Sequence, residues 1–385
     1  MIKKTSKILL ILFVYLILDI AVFYFVPDSL KLLIYNKRSH KLQSYYYHHD
    51  QRANANYFDH WGKNKPIIYT NQYGFKDQKK GEVQFSSKNL LFIGDSLAEG
   101  VGLKYEDSWV GIISQRLKNN DTTVLNAGLQ TYASSVYLAK TYHLIERLKL
   151  PITGVYVMIS VNDVHDDYYR YKGVDKNFRV RHDDETNRLF INILNFIKGN
   201  TFAYQIIAEL TPPLAFFQKV KSSFNKIASL FSQKPNITSN KQEPKSLQSA
   251  DSILQTSKQQ DYEIMYKKDV FNNVGKQSIE KTNDYLIRLA QFLKNKNIPL
   301  TVLLPKEAPF IIEEPLKENY QYFINELKSL KKYNINFIFL EDYCKGYSDN
   351  FQAYRDLFFS GDVHWNKQGN RKIAEELLQK AFKIF

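Results

Sequence analysis

One cysteine, Cys344, is all the thiol chemistry in this 385-residue chain. That excludes a disulfide framework and a cysteine-based zinc site within the chain. A lone cysteine reads as a small buried apolar residue and leaves the compartment open. No internal repeat is evident. Acidic residues are in short supply: 39 Asp and Glu stand against 53 Lys and Arg, a net charge of +14. Such a balance suits an acidic partner (nucleic acid, anionic lipid or acidic glycan) or reflects a generally lysine-rich composition. The lysines are spread along the chain without an RNA-binding aromatic signature, so nucleic acid is not an expected partner. His48, His49 and His60 match no zinc spacing. They read as surface or packing residues, and no metal is expected.

Long apolar runs are also rare, and the one that stands out is N-terminal. Lys3, Lys4 and Lys7 precede an apolar stretch from Ile8 to Val26, interrupted by Asp19 alone. That length suits a helix spanning a ~30 Å hydrocarbon core. It ends in Phe23-Tyr24-Phe25-Val26-Pro27, with bulky residues where a signal-peptide cleavage site needs small ones. The expectation is an uncleaved transmembrane anchor over residues 1–30, with the C-terminal part outside the cytoplasm at the cell inner or plasma membrane. A connecting segment over 31–88 follows, holding a glycine turn at Gly74 in "NQYGFKDQ".

With 44% hydrophobic residues the chain is globular. From residue 89 short apolar runs alternate with helical periodicity. Strands are expected at Leu90–Ile93, Thr122–Leu125, Val155–Ile159, Leu300–Leu304 and Ile335–Leu340. Helices are expected at Asp107–Lys118, Ser134–Leu148 with a serine N-cap, Gln277–Lys296, Leu316–Lys331 and Asn366–Phe382. The alternation predicts a three-layer α/β/α domain over 89–385, with a parallel sheet of about five strands. Its sites should lie at the carboxyl ends of the strands. Between about 170 and 275 the pattern breaks into a helical insertion. Residues 188–210 and 214–231 look helical, split by Pro212-Pro213. The second of these has an apolar face that suits either a membrane surface or the body of the domain. Residues 232–260 read as a flexible polar connection.

Four short blocks follow strands or stand at a strand–helix junction. In "GDSL", residues 94–97, Ser96 sits where a strand turns into a helix. Its hydroxyl is placed as a nucleophile and its N–H as an oxyanion donor. In "NAG", Gly128 lets a backbone N–H approach a ligand. In "SVND", the Asn162 carboxamide is a candidate oxyanion donor. In "SGDVHWNKQGN", His364 can take the serine proton and Asp362 can fix the imidazole tautomer. Taken singly, each block is an ordinary turn, loop or packing residue. In particular, Asn162 reads as a loop residue, and Asp362 as a cap for the helix near Asn366.

Together, in the order Ser, Gly, Asn, His, the blocks resemble the SGNH hydrolases, the GDSL esterase/lipase superfamily. The match covers about 89–165 and 355–385. "NQYGFK" (71–76) and "LAEGVGL" (97–103) are similar to its membrane-anchored, acyltransferase-like branch. The resemblance implies a flavodoxin-like SGNH fold. Ser96, Asp362 and His364 would be catalytic, and Ser96, Gly128 and Asn162 would form the oxyanion hole. It implies no cofactor and an acyl ester substrate, with an envelope glycan favoured. Two departures stand out. The acid is two residues before the histidine rather than three, and Val161 replaces the glycine usual before the asparagine. The expected function is a membrane-tethered serine esterase or O-acyltransferase. The alternatives are a catalytically silent binding or assembly module of the same fold, and a lipase at the bilayer.

Overall fold

The computed structural model describes residues 2–27, 31, 40–61, 63–181, 188–204 and 261–384. Among the described residues ten strands form two sheets. β1 (Lys41–Ser44) and β2 (His48–Gln51) make an antiparallel hairpin. The larger sheet holds β3 (Asn56–Phe58), β4 (Ile67–Thr70), β5 (Lys76–Asp77), β6 (Lys88–Ile93), β7 (Thr122–Asn126), β8 (Gly154–Met158), β9 (Leu300–Pro305) and β10 (Ile335–Leu340). Its order is β10-β9-β8-β6-β7-β5-β4-β3. The first five of these run parallel, and β5, β4 and β3 extend the sheet antiparallel. The parallel part therefore has the doubly wound order 2-1-3-4-5, which places ligands at the carboxyl ends of its strands.

Why these segments are strands follows from what covers them. Side chains alternate across a sheet with period two. On β6, Leu91 and Ile93 enter one core and Phe92 the other. On β8, Val155 and Val157 face the first core and Met158 the second. Helices Ser134–Tyr142, Lys276–Lys294 and Lys317–Ser329 cover one face through Val136, Leu286, Leu289 and Leu327. Helices Trp109–Leu117, Asn350–Leu357 and Lys367–Leu377 cover the other through Trp109, Ile113, Leu357 and Ile373. A strand buried on both faces reads as a nearly continuous apolar run, and β9, buried at all six positions, is apolar except for Thr301.

Several expectations are corrected. The segment 31–88 contributes three strands to the main sheet rather than a plain connection. Gly74 does turn the chain, donating to the Asn71 carbonyl at 3.0 Å between β4 and β5. Helix Ser134–Tyr142 has no serine cap. Its first free N–H groups, on Ser134 and Ser135, go to the Asp167 carboxylate at 3.1 and 3.0 Å. Cys344 is only half-buried. His49 is buried against Tyr132 and bonds the Gln130 carbonyl, which is a packing role. In the insertion, Arg188–Asn200 is helical. The stretch 214–231 and the connection 232–260 lie outside the described residues.

The N-terminal run forms a 24-residue helix, Ile2–Phe25. Among the described residues no helix is long and apolar enough to cross a membrane, so the expected crossing is not supported. Part of the helix is instead engaged with the protein. Asp19 accepts the Phe202 and Ala203 N–H groups at 3.1 and 3.2 Å, capping the turn that starts there. Phe23 is buried edge-on against Phe202. The rest of its length exposes Leu10, Ile11, Phe13, Ile17 and Leu18.

Candidate active site

The parallel strand β6 ends at Ile93, and the chain must then turn sharply at the carboxyl edge of the sheet. Gly94 makes this possible, because a Cβ there would stand 2.6 Å from the Ala98 Cβ and 3.1 Å from Met158. Asp95 caps the short helix Ser96–Glu99, accepting the Leu97 N–H at 2.8 Å. Ser96 is thus the first residue of that helix, where backbone N–H groups lack helical acceptors. The loop after β7 packs onto the same turn. A Cβ on Gly128 would lie 2.8 Å from both the Ala98 Cβ and the Glu99 nitrogen.

From the far end of the chain, the turn before helix Lys367–Leu377 brings in a histidine and an acid. Ser96 Oγ and His364 Nε2 are 2.7 Å apart. His364 Nδ1 and Asp362 Oδ1 are 2.6 Å apart. The spacing of two residues suffices: the same Asp362 oxygen also accepts the His364 backbone N–H at 3.1 Å. Burial pushes the Asp362 carboxyl up. The hydrogen bonds and charge of His364, with the Trp61 N–H, outweigh it and hold Asp362 below the usual carboxylate range. Asp362 does not cap the following helix. Asn366 does so itself, accepting the Gln368 and Gly369 N–H groups at 2.8 and 3.1 Å.

The third set gathers around the serine. Asn162 is not in a loop; it lies in the first turn of helix Val161–Tyr169. Its Nδ2 donates to Asp95 Oδ2 at 3.1 Å, and the Ser160 hydroxyl donates to the same oxygen at 3.1 Å. The Gly128 N–H donates to the Asn126 side chain at 3.1 Å. The structure therefore links Ser96, His364 and Asp362 directly. It seats Gly128 against the serine turn and ties Asn162 to that turn through Asp95.

Four residues of this region escaped the sequence reading. Asp95 was visible in "GDSL" but given no task; burial pushes its carboxyl up while the Leu97 N–H, the His364 charge, Asn162 and Ser160 pull the other way. Glu307 is buried behind the asparagine helix, accepting the Val161 N–H at 2.9 Å and the Tyr262 hydroxyl at 2.5 Å. Burial pushes it up to about 8. Trp61 donates its indole N–H to Asp362 Oδ2 at 2.7 Å. The Tyr354 hydroxyl accepts the Asp362 N–H at 2.8 Å. No motif or periodicity marks the last three. Among the described residues no cluster of His, Cys, Asp or Glu could hold a metal ion.

The arrangement defines a class: a three-layer α/β/α protein carrying a hydrogen-bonded Ser–His–Asp array at the carboxyl edge of its parallel sheet. No family model and no curated protein matches the chain. Solved structures similar to it include the psychrotrophic esterase EstA from Pseudoalteromonas sp., 12% identical, covering 77% of this chain and 98% of that one, with a TM-score of 0.39. A variant of Axe2, an acetylxylan esterase from Geobacillus stearothermophilus, is 13% identical over 77% and 95% of the two chains, with a TM-score of 0.39. The acetyl xylan esterase AlAXEase is 12% identical over 76% and 99%, with a TM-score of 0.37.

Proposed function

We propose that this chain is a serine esterase or O-acyltransferase of the SGNH type, working through an acyl-enzyme. The observation that carries this reading is the unbroken line Ser96 Oγ–His364 Nε2 at 2.7 Å and His364 Nδ1–Asp362 Oδ1 at 2.6 Å. Ser96 Oγ attacks the ester carbonyl carbon as His364 Nε2 takes its proton. The carbonyl oxygen becomes an oxyanion, and the Ser96 N–H, Gly128 N–H and Asn162 amide are its donors. Receiving it requires the Gly128 N–H to turn from Asn126, whereas Asn162 Nδ2 has a second N–H beside the one given to Asp95. The tetrahedral adduct collapses, His364 returns the proton to the departing alkoxide, and the acyl group stays on Ser96. Water or an acceptor hydroxyl then repeats the attack, giving hydrolysis or transfer. Asp362 remains a carboxylate throughout and stabilises the imidazolium.

The finer reading is an ester on a cell-envelope glycan, with the domain outside the cytoplasm and the N-terminal helix against a membrane. Support comes from Lys3, Lys4 and Lys7 in the first turns of that helix and from its exposed Leu10, Phe13 and Leu18. A cleft of about 540 Å³ is lined by Asn64, Lys65, Lys104 and the ion-paired Lys367 and Asp107, with Leu103 and Phe359, and offers lysine and amide groups to a hydroxyl-rich acidic chain. It borders the site through Gly102, on which Trp61 packs.

Incubation with a fluorophosphonate should add one adduct to the peptide bearing Ser96, and the protein should hydrolyse p-nitrophenyl acetate. A folded protein that does neither is the silent binding module. For location, a C-terminal alkaline phosphatase fusion should be active and a C-terminal GFP fusion dark; the reverse overturns the envelope reading.

A further inference from the structure

Trp61 comes from the segment ahead of the parallel sheet, 301 positions from the acid that it touches. Its place is built rather than incidental. The Trp61 and Asn64 backbones exchange hydrogen bonds at 2.9 Å in both directions. Buried Asp59 accepts the Gly102 N–H at 3.0 Å, which ties this turn to the end of the nucleophile turn. Gly102 has φ +73, and a Cβ there would meet the Trp61 Cβ, Cδ1 and Cγ at about 3 Å. The base of the indole therefore rests directly on the Gly102 backbone. Its outer edge reaches the catalytic pair twice. Nε1 donates to Asp362 Oδ2 at 2.7 Å, and the ring stands edge-on to His364 with centroids 4.8 Å apart.

The carboxylate of Asp362 is shared in a definite way. Oδ1 takes both N–H groups of His364, from the ring and the backbone. Oδ2 takes Trp61. The Asp362 main chain is held separately: its N–H goes to Phe359 O and the Tyr354 hydroxyl, and its carbonyl accepts from that hydroxyl at 2.9 Å. Tyr354 thus fixes where the residue is, whereas rotation of the carboxylate about its last bond is opposed from the Oδ2 side by the indole. A carboxylate free to rotate loses the in-plane hydrogen bond that sets the imidazole. His364 Nε2 then no longer points at Ser96.

We propose that Trp61 is the positioning residue of the Asp362–His364 pair, so that the segment before the parallel sheet completes the active site. The proposal rests on the serine-esterase reading above for its kinetic readouts. Hydrogen bonds to charged groups are the strong ones, and this one acts on the group that orients the base.

Trp61→Phe keeps an aromatic ring on Gly102 and removes the indole N–H together with part of the outer ring beside His364. The expected result with p-nitrophenyl acetate is a fall in kcat on the order of 10- to 100-fold, with KM and melting temperature nearly unchanged. Fluorophosphonate labelling of Ser96 should slow by the same factor. In an Asp362→Ala background the second change should cost nothing more, because the carboxylate it orients is gone. A wild-type kcat in Trp61→Phe, or a loss that multiplies fully with that of Asp362→Ala, overturns the proposal.

One readout does not need turnover. The low-field imidazole proton between His364 and Asp362, followed by NMR, should shift or broaden in Trp61→Phe. An unmoved resonance overturns the proposal as well. Failure of the esterase reading looks different: the wild-type protein itself would neither turn over ester nor label at Ser96, while the proton resonance would still judge Trp61.

Discussion

Ser96 and His364 meet at 2.7 Å, but the chain delivers them by opposite means. The serine side is backbone packed on backbone. Gly94 and Gly128 leave no room for a methyl group, Asp95 and Asn126 are buried, and three strand ends converge on one turn. The histidine side is a turn between two helices, partly exposed, and set by individual side chains: Trp61 and Tyr354 on Asp362, and Asn366 on the helix behind. Geometry on the first side is a by-product of forming the sheet. On the second side a backbone bridge closes the turn, with the Phe359 N–H on the His364 carbonyl at 3.0 Å, but the acid is aimed by single side-chain hydrogen bonds. Damage to the first side should appear in stability as well as turnover, and damage to the second in turnover alone.

The largest effect expected is common to both sides and calibrates the rest. Ser96→Ala and His364→Ala should each lower kcat by on the order of 10⁶ without unfolding the protein. Wild-type-like turnover in folded Ser96→Ala would end the serine mechanism. Asp362→Asn should cost about 10⁴ in kcat, since an amide favours the wrong imidazole tautomer. Its melting temperature should stay close to the parent's, because Asn366 and not Asp362 caps the helix. An unchanged kcat would remove Asp362 from the catalytic set.

Asn162→Ala should cost about 10²–10³ in kcat as an oxyanion donor is lost. It should also lower the melting temperature, because buried Asp95 loses one of its donors. A drop in kcat with no thermal change would blur the distinction between the two sides. The smallest effect concerns Glu307, which backs the asparagine helix. Its folded carboxyl is pushed up to about 8, whereas an unfolded glutamate titrates near about 4.3. The folded form therefore holds a proton that the unfolded chain has released, so this group's stability is full below about 4.3 and is lost as pH rises to about 8. Glu307→Gln should make the fall in melting temperature across that window shallower. An identical pH slope would mean that Glu307 does not carry the burden.

The same contrast explains what could be read from sequence. The parallel strands were legible because burial of most of their positions favours short apolar runs, as at Val302 to Leu304 in β9. The nucleophile, glycine, asparagine and histidine blocks were legible because each follows such a strand or precedes a strong helix. β3, β4 and β5 were not. They are two to four residues long, and β5 is only Lys76–Asp77. No periodicity develops over two residues. Asn162 looked like a loop residue because Asn-Asp favours turns, but Asp163 accepts the Ser160 N–H at 3.0 Å and starts a helix there. Caps and positioning contacts supplied from afar, Asp167 to Ser134 and Trp61 to Asp362, leave no local trace.

β5 meets β7 through one register pair, Lys76–Asn126. Beyond it, Lys76 Nζ reaches the Gly100 carbonyl at 2.7 Å, and Asp59 holds Gly102. With so short a strand seam this edge is expected to open before the rest in native-state hydrogen exchange, against the hold of Phe75 in the core and Gln51 on Glu99. When it opens, Trp61 leaves with it, while Ser96, Gly128 and Asn162 stay on the closed parallel strands. Amides of Tyr57 and Ile68 should then exchange ahead of those of Leu91 and Val157. Mild denaturant should abolish any ester turnover while the core is still folded.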